Sequence, residues 1–163
     1  MRIRDATTTD LPAIVAIYND AIRTTVATFD LEPVTCEQRT PWLAQFGREH
    51  PLYVAEGVDG ALLGFAYYLP YRTRAGYAAS KETTVYVARE ARRRGVATRL
   101  YEGLIAHARA EGVHALVAVL GGDNPESRGL HEKLGFAHAG HLREIGRKFG
   151  RWVDTDYYLL LLP

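Results

Sequence analysis

Three arginines, Arg92, Arg93 and Arg94, stand directly before Gly95 in the stretch EARRRGVATRL. A strand-like run, KETTVYVA, precedes them, and an amphipathic run, VATRLYEGLIAHARAEG, follows. A helix N-terminus exposes unpaired N–H groups and the positive end of its dipole, so phosphates bind there readily. Gly95 lets the backbone approach an anion, Ala97 keeps the next turn small, and guanidinium groups beside such a turn add charge. Three readings stand side by side: the rim of a phosphate site, a solvated helix start, or a nucleic-acid patch. The spacing is neither GxxxxGK(S/T) nor GxGxxG, which disfavours a Walker-type loop and a Rossmann dinucleotide site.

The elements that must position this turn follow from periodicity. RIRDA reads as a short strand. TTTDLPAIVAIYNDAI reads as a helix, with Leu11, Ile14, Val15, Tyr18 and Ile22 at helical spacing. Thr7 and Asp10 have capping-box spacing, and Pro12 falls in the first turn, where its missing N–H costs little. A loop to Pro33 precedes a second helix, CEQRTPWLAQFGREH, closed by Gly47. Asp59-Gly60 marks the turn of a hairpin in PLYVAEGVDGALLGFAYYLP. YRTRAGYAAS is a polar, aromatic loop before the strand KETTVYVA. The helix from Val96 carries an apolar stripe of Val96, Leu100, Leu104 and Ile105 and ends at Gly112. VHALVAVL is a continuous apolar strand. GGDNPESRGLHEKLGF is a loop and a short helix stopped by Gly135, and AHAGHLREIG with DTDYYLLLL forms a final strand pair. The order β-α-α-β-β-β-α-β-α-β-β describes a mixed α/β domain, a sheet covered by helices, spanning 1–163 as one unit.

Composition narrows the function classes. Twenty Lys+Arg against 19 Asp+Glu give a formal charge of +1, which disfavours bulk binding of nucleic acid or anionic membrane. No second basic tract or aromatic interleaving accompanies the arginines. The single Cys36 precludes an intrachain disulfide and fits a reducing compartment. MRIRDATTTD lacks a signal peptide's apolar run, no segment has transmembrane length, and the expected location is cytoplasmic. His138 and His141 lie three apart without a third ligand, so no metal is expected. Cys36 has no evident base, which disfavours a nucleophilic role.

On these residues the chain resembles the GNAT N-acetyltransferases. Their acetyl-CoA pyrophosphate turn, (Q/R)xxGx(G/A), is matched by Arg92-Arg93-Arg94-Gly95-Val96-Ala97. NPESRGLHEKLGF resembles the family's Nxx(S/A)xxL(Y/H)xxLGF segment. Within the family, TTVATFDLEP, ETTVYV, GLHEKLGF and KFGRWVD resemble the phosphinothricin and methionine sulfoximine or sulfone acetyltransferases. The resemblance implies a GNAT fold, with a central, mostly antiparallel twisted sheet splayed at the acetyl-CoA site. It implies acetyl-CoA as co-substrate, a small-molecule amine as acceptor, direct transfer without an acyl-enzyme, and a homodimer.

It also implies roles. Val85 and Val87, with Tyr86 between them, offer backbone groups to the pantetheine arm and the thioester carbonyl, as a strand edge beside a bulge can. Arg92, Arg93, Arg94, Gly95, Val96, Ala97 and Thr98 cradle the pyrophosphate. Glu82 is the general base that deprotonates the amine, directly or through water; the bland alternative is an exposed Glu paired with Lys81 or an arginine. His131 stands where many relatives carry a tyrosine that protonates the leaving thiolate, a role suited to a group titrating near neutrality; otherwise it is a helix histidine packed near Leu134. Asn124 caps the following helix or bonds the pantetheine. Arg72 and Arg74 would grip the acceptor's anionic groups, Phe29 and Tyr77 would wall its methylenes, and Lys148 and Trp152 would close the site, in cis or from a partner. Two alternatives share the fold: acetylation of a protein N-terminus or lysine, and a non-catalytic coenzyme A-binding module.

Overall fold

Alternating and helical apolar patterns resolve, in a computed structural model describing residues 1–163, into seven strands and four helices in the expected order. These are β1 (Arg2–Asp5), α1 (Leu11–Thr24), α2 (Cys36–Leu43), β2 (Leu52–Glu56), β3 (Leu62–Pro70), β4 (Ser80–Val87), α3 (Val96–Ala110), β5 (Ala115–Gly121), α4 (Pro125–Lys133), β6 (Ala137–Lys148) and β7 (Arg151–Leu161). The strands form one sheet, ordered β1-β2-β3-β4-β5-β7-β6. Every neighbouring pair is antiparallel except β4 and β5, which α3 connects as a parallel crossover.

Two apolar clusters hold the helices to the two faces. The stripe of α3, Val96, Leu100, Leu104 and Ile105, is buried with Tyr68, Leu116, Ala118, Phe136 and Tyr158. Each of the Val, Leu, Ile and Phe side chains among them contributes roughly 1.5–3 kcal/mol by leaving water. On the other face, Ile14, Tyr18 and Ile22 of α1 pack on Leu52, Val54 and Phe65, flanked by Trp42 and Phe46.

Three boundaries differ from the sequence expectation. First, α2 stops at Leu43 rather than running to Gly47. Pro41 lies inside it and lacks the N–H for an intrahelical bond, and beyond Leu43 the chain tightens into Gln45-to-Trp42 and Phe46-to-Leu43 bonds. Second, the Thr7–Asp10 pair opens a 3-10 turn, and α1 begins only at Leu11. Third, β6 and β7 run on to meet at Phe149-Gly150, both with positive φ (51° and 72°). The KFGRW segment is therefore the tip of a two-residue hairpin.

Asp10 is the anchor of the first edge. Its carboxylate accepts two 2.8 Å bonds from Arg4 on β1 and one of 2.7 Å from the Thr7 amide. Arg4 bridges on to Glu56 of β2 at 3.2 Å. The hydrogen bonds from Arg4, against the opposing cost of burial, hold the Asp10 carboxyl down to about 2. A depressed carboxylate stabilises the fold above its unfolded value, about 4, and that contribution is lost as pH falls through the folded value. Urea unfolding should therefore show about 2 kcal/mol of stability disappearing between about pH 4 and about pH 2, and Asp10→Asn should remove that step.

Candidate active site

β4 and β5 pair only from Ser80–Ala115 to Thr83–Ala118. Past that point β5 stays with β7, down to Gly121–Thr155, while β4 stays with β3, up to Val87–Gly64. The sheet is splayed between them. The Ala88 amide donates to Leu63 and the Tyr71 amide to Ser80, which fixes the antiparallel alternation. Thr84 and Tyr86 turn their backbone to β3, whereas Val85 and Val87 turn theirs into the gap. The β3–β4 register is unbroken, so divergence of the strands, and not the expected bulge, frees these groups. Tyr86 lines the gap as well, but its backbone bonds β3, and its ring packs on Tyr18, 5.1 Å away, and on Phe65.

The gap continues into a groove of about 830 Å³. Its walls include Val85 and Val87 of β4, Arg92 to Arg93 and Gly95 to Thr98 of the basic turn, and Asn124, Ser127 and Leu130 at α4. Arg93 (φ 60°) and Gly95 (φ 77°) take left-handed conformations. No atom lies within 4 Å of a Cβ added at Gly95, so the dihedral, and not crowding within the chain, selects glycine there. The first helical bond runs from the Arg99 amide to the Gly95 carbonyl. The amides of Val96, Ala97 and Thr98 thus have no partner within α3, and no side chain caps them. Arg92 lies 3.9 Å from Asp20 and Arg93 3.1 Å from Glu126. Arg94 has no ion pair and does not line the groove, so the three arginines are not equivalent.

A smaller cavity of about 240 Å³ adjoins the groove and holds Glu82 and His131 together. They enter from opposite faces. Successive side chains of β4 alternate; Thr83 points to the α3 face, where its hydroxyl meets that of Tyr101, and Glu82 points the other way. Burial pushes the Glu82 carboxyl above its usual range, and Arg72, 3.8 Å away, pulls it partly back. The bland and the catalytic readings of Glu82 are thus both present in one geometry. His131 is buried on α4, its Nδ1 2.7 Å from the Ser127 carbonyl oxygen and its Nε2 2.8 Å from the Tyr101 hydroxyl. Burial lowers its proton affinity, and the Ser127 bond opposes that. Asn124 lines both cavities; its Oδ1 caps α4 by accepting from the Ser127 amide at 3.0 Å, and its NH₂ makes no hydrogen bond within the chain.

The loop after α1 roofs this junction, with Ala27 in both walls and Thr28 and Phe29 in the smaller. Tyr18 donates to Asp30 at 2.6 Å and meets the Thr28 hydroxyl at 2.9 Å. Gly121 and Gly122 leave space for Val26, and Gly146 for the Phe29 ring. Lys148 is buried and donates to the Thr28 carbonyl at 2.7 Å, so it fastens the loop and lines neither cavity. The other acceptor-pocket expectations separate. Phe29 is a wall and Arg72 touches Glu82. Arg74 and Tyr77 are exposed on the β3–β4 loop and line neither cavity, and Trp152, 59% exposed, stacks under Arg147 at the hairpin tip. Sequence reasoning missed Thr83, Tyr101 and Ser127. Tyr101 had a signal: it stands beside Leu100 and four before Ile105, on the buried side of α3. His138 and His141 bond Asp156 and Asp154 across β6–β7.

The acetyltransferase (GNAT) family model matches residues 14–136. The chain belongs to this family. It is an acetyl-CoA-dependent N-acetyltransferase, and the splayed strands and free α3 amides are groups that fit that co-substrate. It is 40% identical to the L-methionine sulfoximine/L-methionine sulfone acetyltransferase of Pseudomonas aeruginosa, over 98% of this chain and 94% of that protein. It is also 40% identical to a phosphinothricin N-acetyltransferase of Streptomyces coelicolor, over 97% and 94%. Among solved structures, a phosphinothricin acetyltransferase of Sinorhizobium meliloti in complex with AcCoA superposes with a TM-score of 0.95 at 33% identity, covering 99% of this chain and 88% of that one. A ribosomal-protein-alanine N-acetyltransferase of Brucella melitensis gives 0.96 at 41% identity, covering 99% and 100%. No helix is long and apolar enough to cross a membrane.

A methyl at position 146 would run into the Phe29 ring. Gly146→Ala should therefore lower kcat/KM for the amine by about 10-fold or more through displacement of that wall. Steady-state kinetics with either substrate varied checks this; KM for acetyl-CoA should stay within about twofold of wild type.

Proposed function

We propose that this enzyme acetylates the amine of a small amino-acid-like acceptor of the methionine sulfoximine, methionine sulfone or phosphinothricin type. The relatives' activities support the acceptor class. The observation that carries the reading is the small cavity at the groove's inner end, with a carboxylate on one side of the sheet and an imidazole on the other. Two such groups also disfavour a non-catalytic coenzyme A-binding module.

The chain's residues divide the work. The amides of Val96, Ala97 and Thr98, with Arg92 and Arg93, hold the pyrophosphate at a helix N-terminus. The inward backbone groups of Val85 and Val87 bond the pantetheine arm and polarise the thioester carbonyl, and the Asn124 NH₂ adds a donor beside them. Glu82 takes the ammonium proton, so that a lone pair can attack. His131 is the source of the proton that the departing sulfur receives. Phe29 walls the acceptor, and Arg72, beside Glu82, offers a guanidinium to its anionic end.

Acetylation of a protein N-terminus is the second reading, favoured by the likeness to the Brucella enzyme. A cavity of about 240 Å³ suits a small molecule better than a folded chain. A homodimer belongs to the same proposal. Leu142, Ile145, Phe149 and Trp152 expose apolar surface along β6, β7 and their tip, which a second copy would cover.

Thiol release from acetyl-CoA, followed over phosphinothricin, methionine sulfoximine, methionine sulfone, ordinary amino acids, polyamines and N-terminal peptides, tests the acceptor. Turnover confined to peptides overturns the small-acceptor reading. Glu82→Gln should lower kcat about 100-fold to 10,000-fold near neutral pH. It should also abolish an acid limb that wild type shows above the usual carboxylate range, since the Glu82 pKa is raised. Arg93→Ala should weaken acetyl-CoA binding about 10-fold, as losing one charge-assisted contact does, whereas Arg94→Ala should change it by less than about twofold; calorimetric titration with coenzyme A decides between them.

A further inference from the structure

Neither ring nitrogen of His131 is open to the cavity it lines. The Ser127 carbonyl oxygen only accepts, so Nδ1, 2.7 Å from it, carries a proton. Nε2 is covered by the Tyr101 hydroxyl at 2.8 Å. That hydroxyl lies 3.0 Å from Thr83 Oγ1, which donates to the Val117 carbonyl at 3.2 Å. Tyr101 and Thr83 both line the same cavity as His131.

Counting protons along this row separates its two charge states. With His131 neutral, Tyr101 must donate to the Nε2 lone pair. Its oxygen then faces Thr83, whose single proton serves either Tyr101 or the Val117 carbonyl but not both, so one contact in the row has no donor. With Nε2 protonated, the row closes: Nε2–H donates to Tyr101, Tyr101 to Thr83, and Thr83 to Val117. No carboxylate or cation bonds the imidazole. The titratable groups facing it are Tyr101 from α3 and Tyr158 from β7, whose ring is 6.1 Å away and whose hydroxyl reaches Glu132, with Phe136 edge-on. Glu82 shares the cavity from the opposite face of β4. The hydroxyl row is thus the only acceptor for the Nε2 proton.

We propose that Tyr101 is a further catalytic residue, whose hydroxyl passes the proton of His131 to the departing sulfur, with Thr83 as the positioning residue that holds the hydroxyl in line. The proposal rests on His131 being the acid. As the carbon–sulfur bond breaks, the Tyr101 O–H bond breaks and a sulfur–hydrogen bond forms. In the same movement the Nε2–H bond breaks and a new O–H bond forms on Tyr101. The tyrosine ends neutral, the imidazolium becomes imidazole, and the thiolate becomes thiol. His131 regains its proton from water before the next cycle.

Tyr101→Phe keeps the buried ring and removes only the hydroxyl. It should lower kcat about 100-fold, as loss of a positioned proton donor does, with KM for acetyl-CoA within about twofold. The alkaline limb of kcat should move to lower pH, because the charged Nε2–H has lost its acceptor. Thr83→Val should move the limb the same way with a loss of about 10-fold. Circular dichroism and thermal melts establish that each variant is folded, and Thr83→Val carries the test if Tyr101→Phe is not. His131→Phe separates the failures. If it keeps wild-type turnover, the acid assignment falls and the relay with it. If it is slow while the folded Tyr101→Phe or Thr83→Val variant keeps wild-type turnover and an unmoved alkaline limb, the relay alone is overturned.

Discussion

Beyond Thr83 and Ala118, β4 and β5 cease to share hydrogen bonds, and the main-chain groups of Val85 and Val87 are left facing a groove. An unpaired backbone amide away from water costs about as much as a lost hydrogen bond. The strand edge therefore demands polar partners, which water or an extended amide-bearing ligand supplies. What keeps β4 from collapsing onto β5 is its unbroken ladder with β3, from Gly64–Val87 to Pro70–Lys81. The basic turn inherits its position from this arrangement. α3 starts where β4 has diverged, so its free amides point at the far end of the same groove.

The roof over the junction is held by polar fasteners and by missing side chains. Tyr18 and Lys148 grip the Thr28 region from two sides, while Gly121, Gly122 and Gly146 leave the space that Val26 and Phe29 occupy. The same loop contributes to both cavities, so its seating decides the shape of each.

Element order was legible because it rests on local signals, period, cap and turn, whereas Glu82 and His131 were legible only through motifs that resemble those of the GNAT family. The shortened α2 was not, because aromatic packing of Phe46 and the missing amide of Pro41 outweigh helical spacing. Lys148 read as a possible pocket charge because its buried bond to the Thr28 carbonyl spans 120 residues of chain. Arg94 read like Arg93 because three identical side chains carry no sign of which one the left-handed turn aims at the groove. Tyr101 was invisible for a subtler reason. An aromatic on an apolar helix face looks like core, and its polar end acquires meaning only when β4 and α4 bring Thr83 and His131 to it.

The two-residue period of β4 places Glu82 and Thr83, neighbours in the chain, on opposite sides of the sheet. One side contains the loop after α1, where an acceptor would be sorted; the other contains the α3–α4 layer behind the acetyl donor. Natural selection can thus rework the first side while leaving the second untouched. A lineage could acquire a new acceptor through changes confined to Phe29 and the β3–β4 loop, which do not line the larger groove, with the machinery that activates the acetyl group inherited intact.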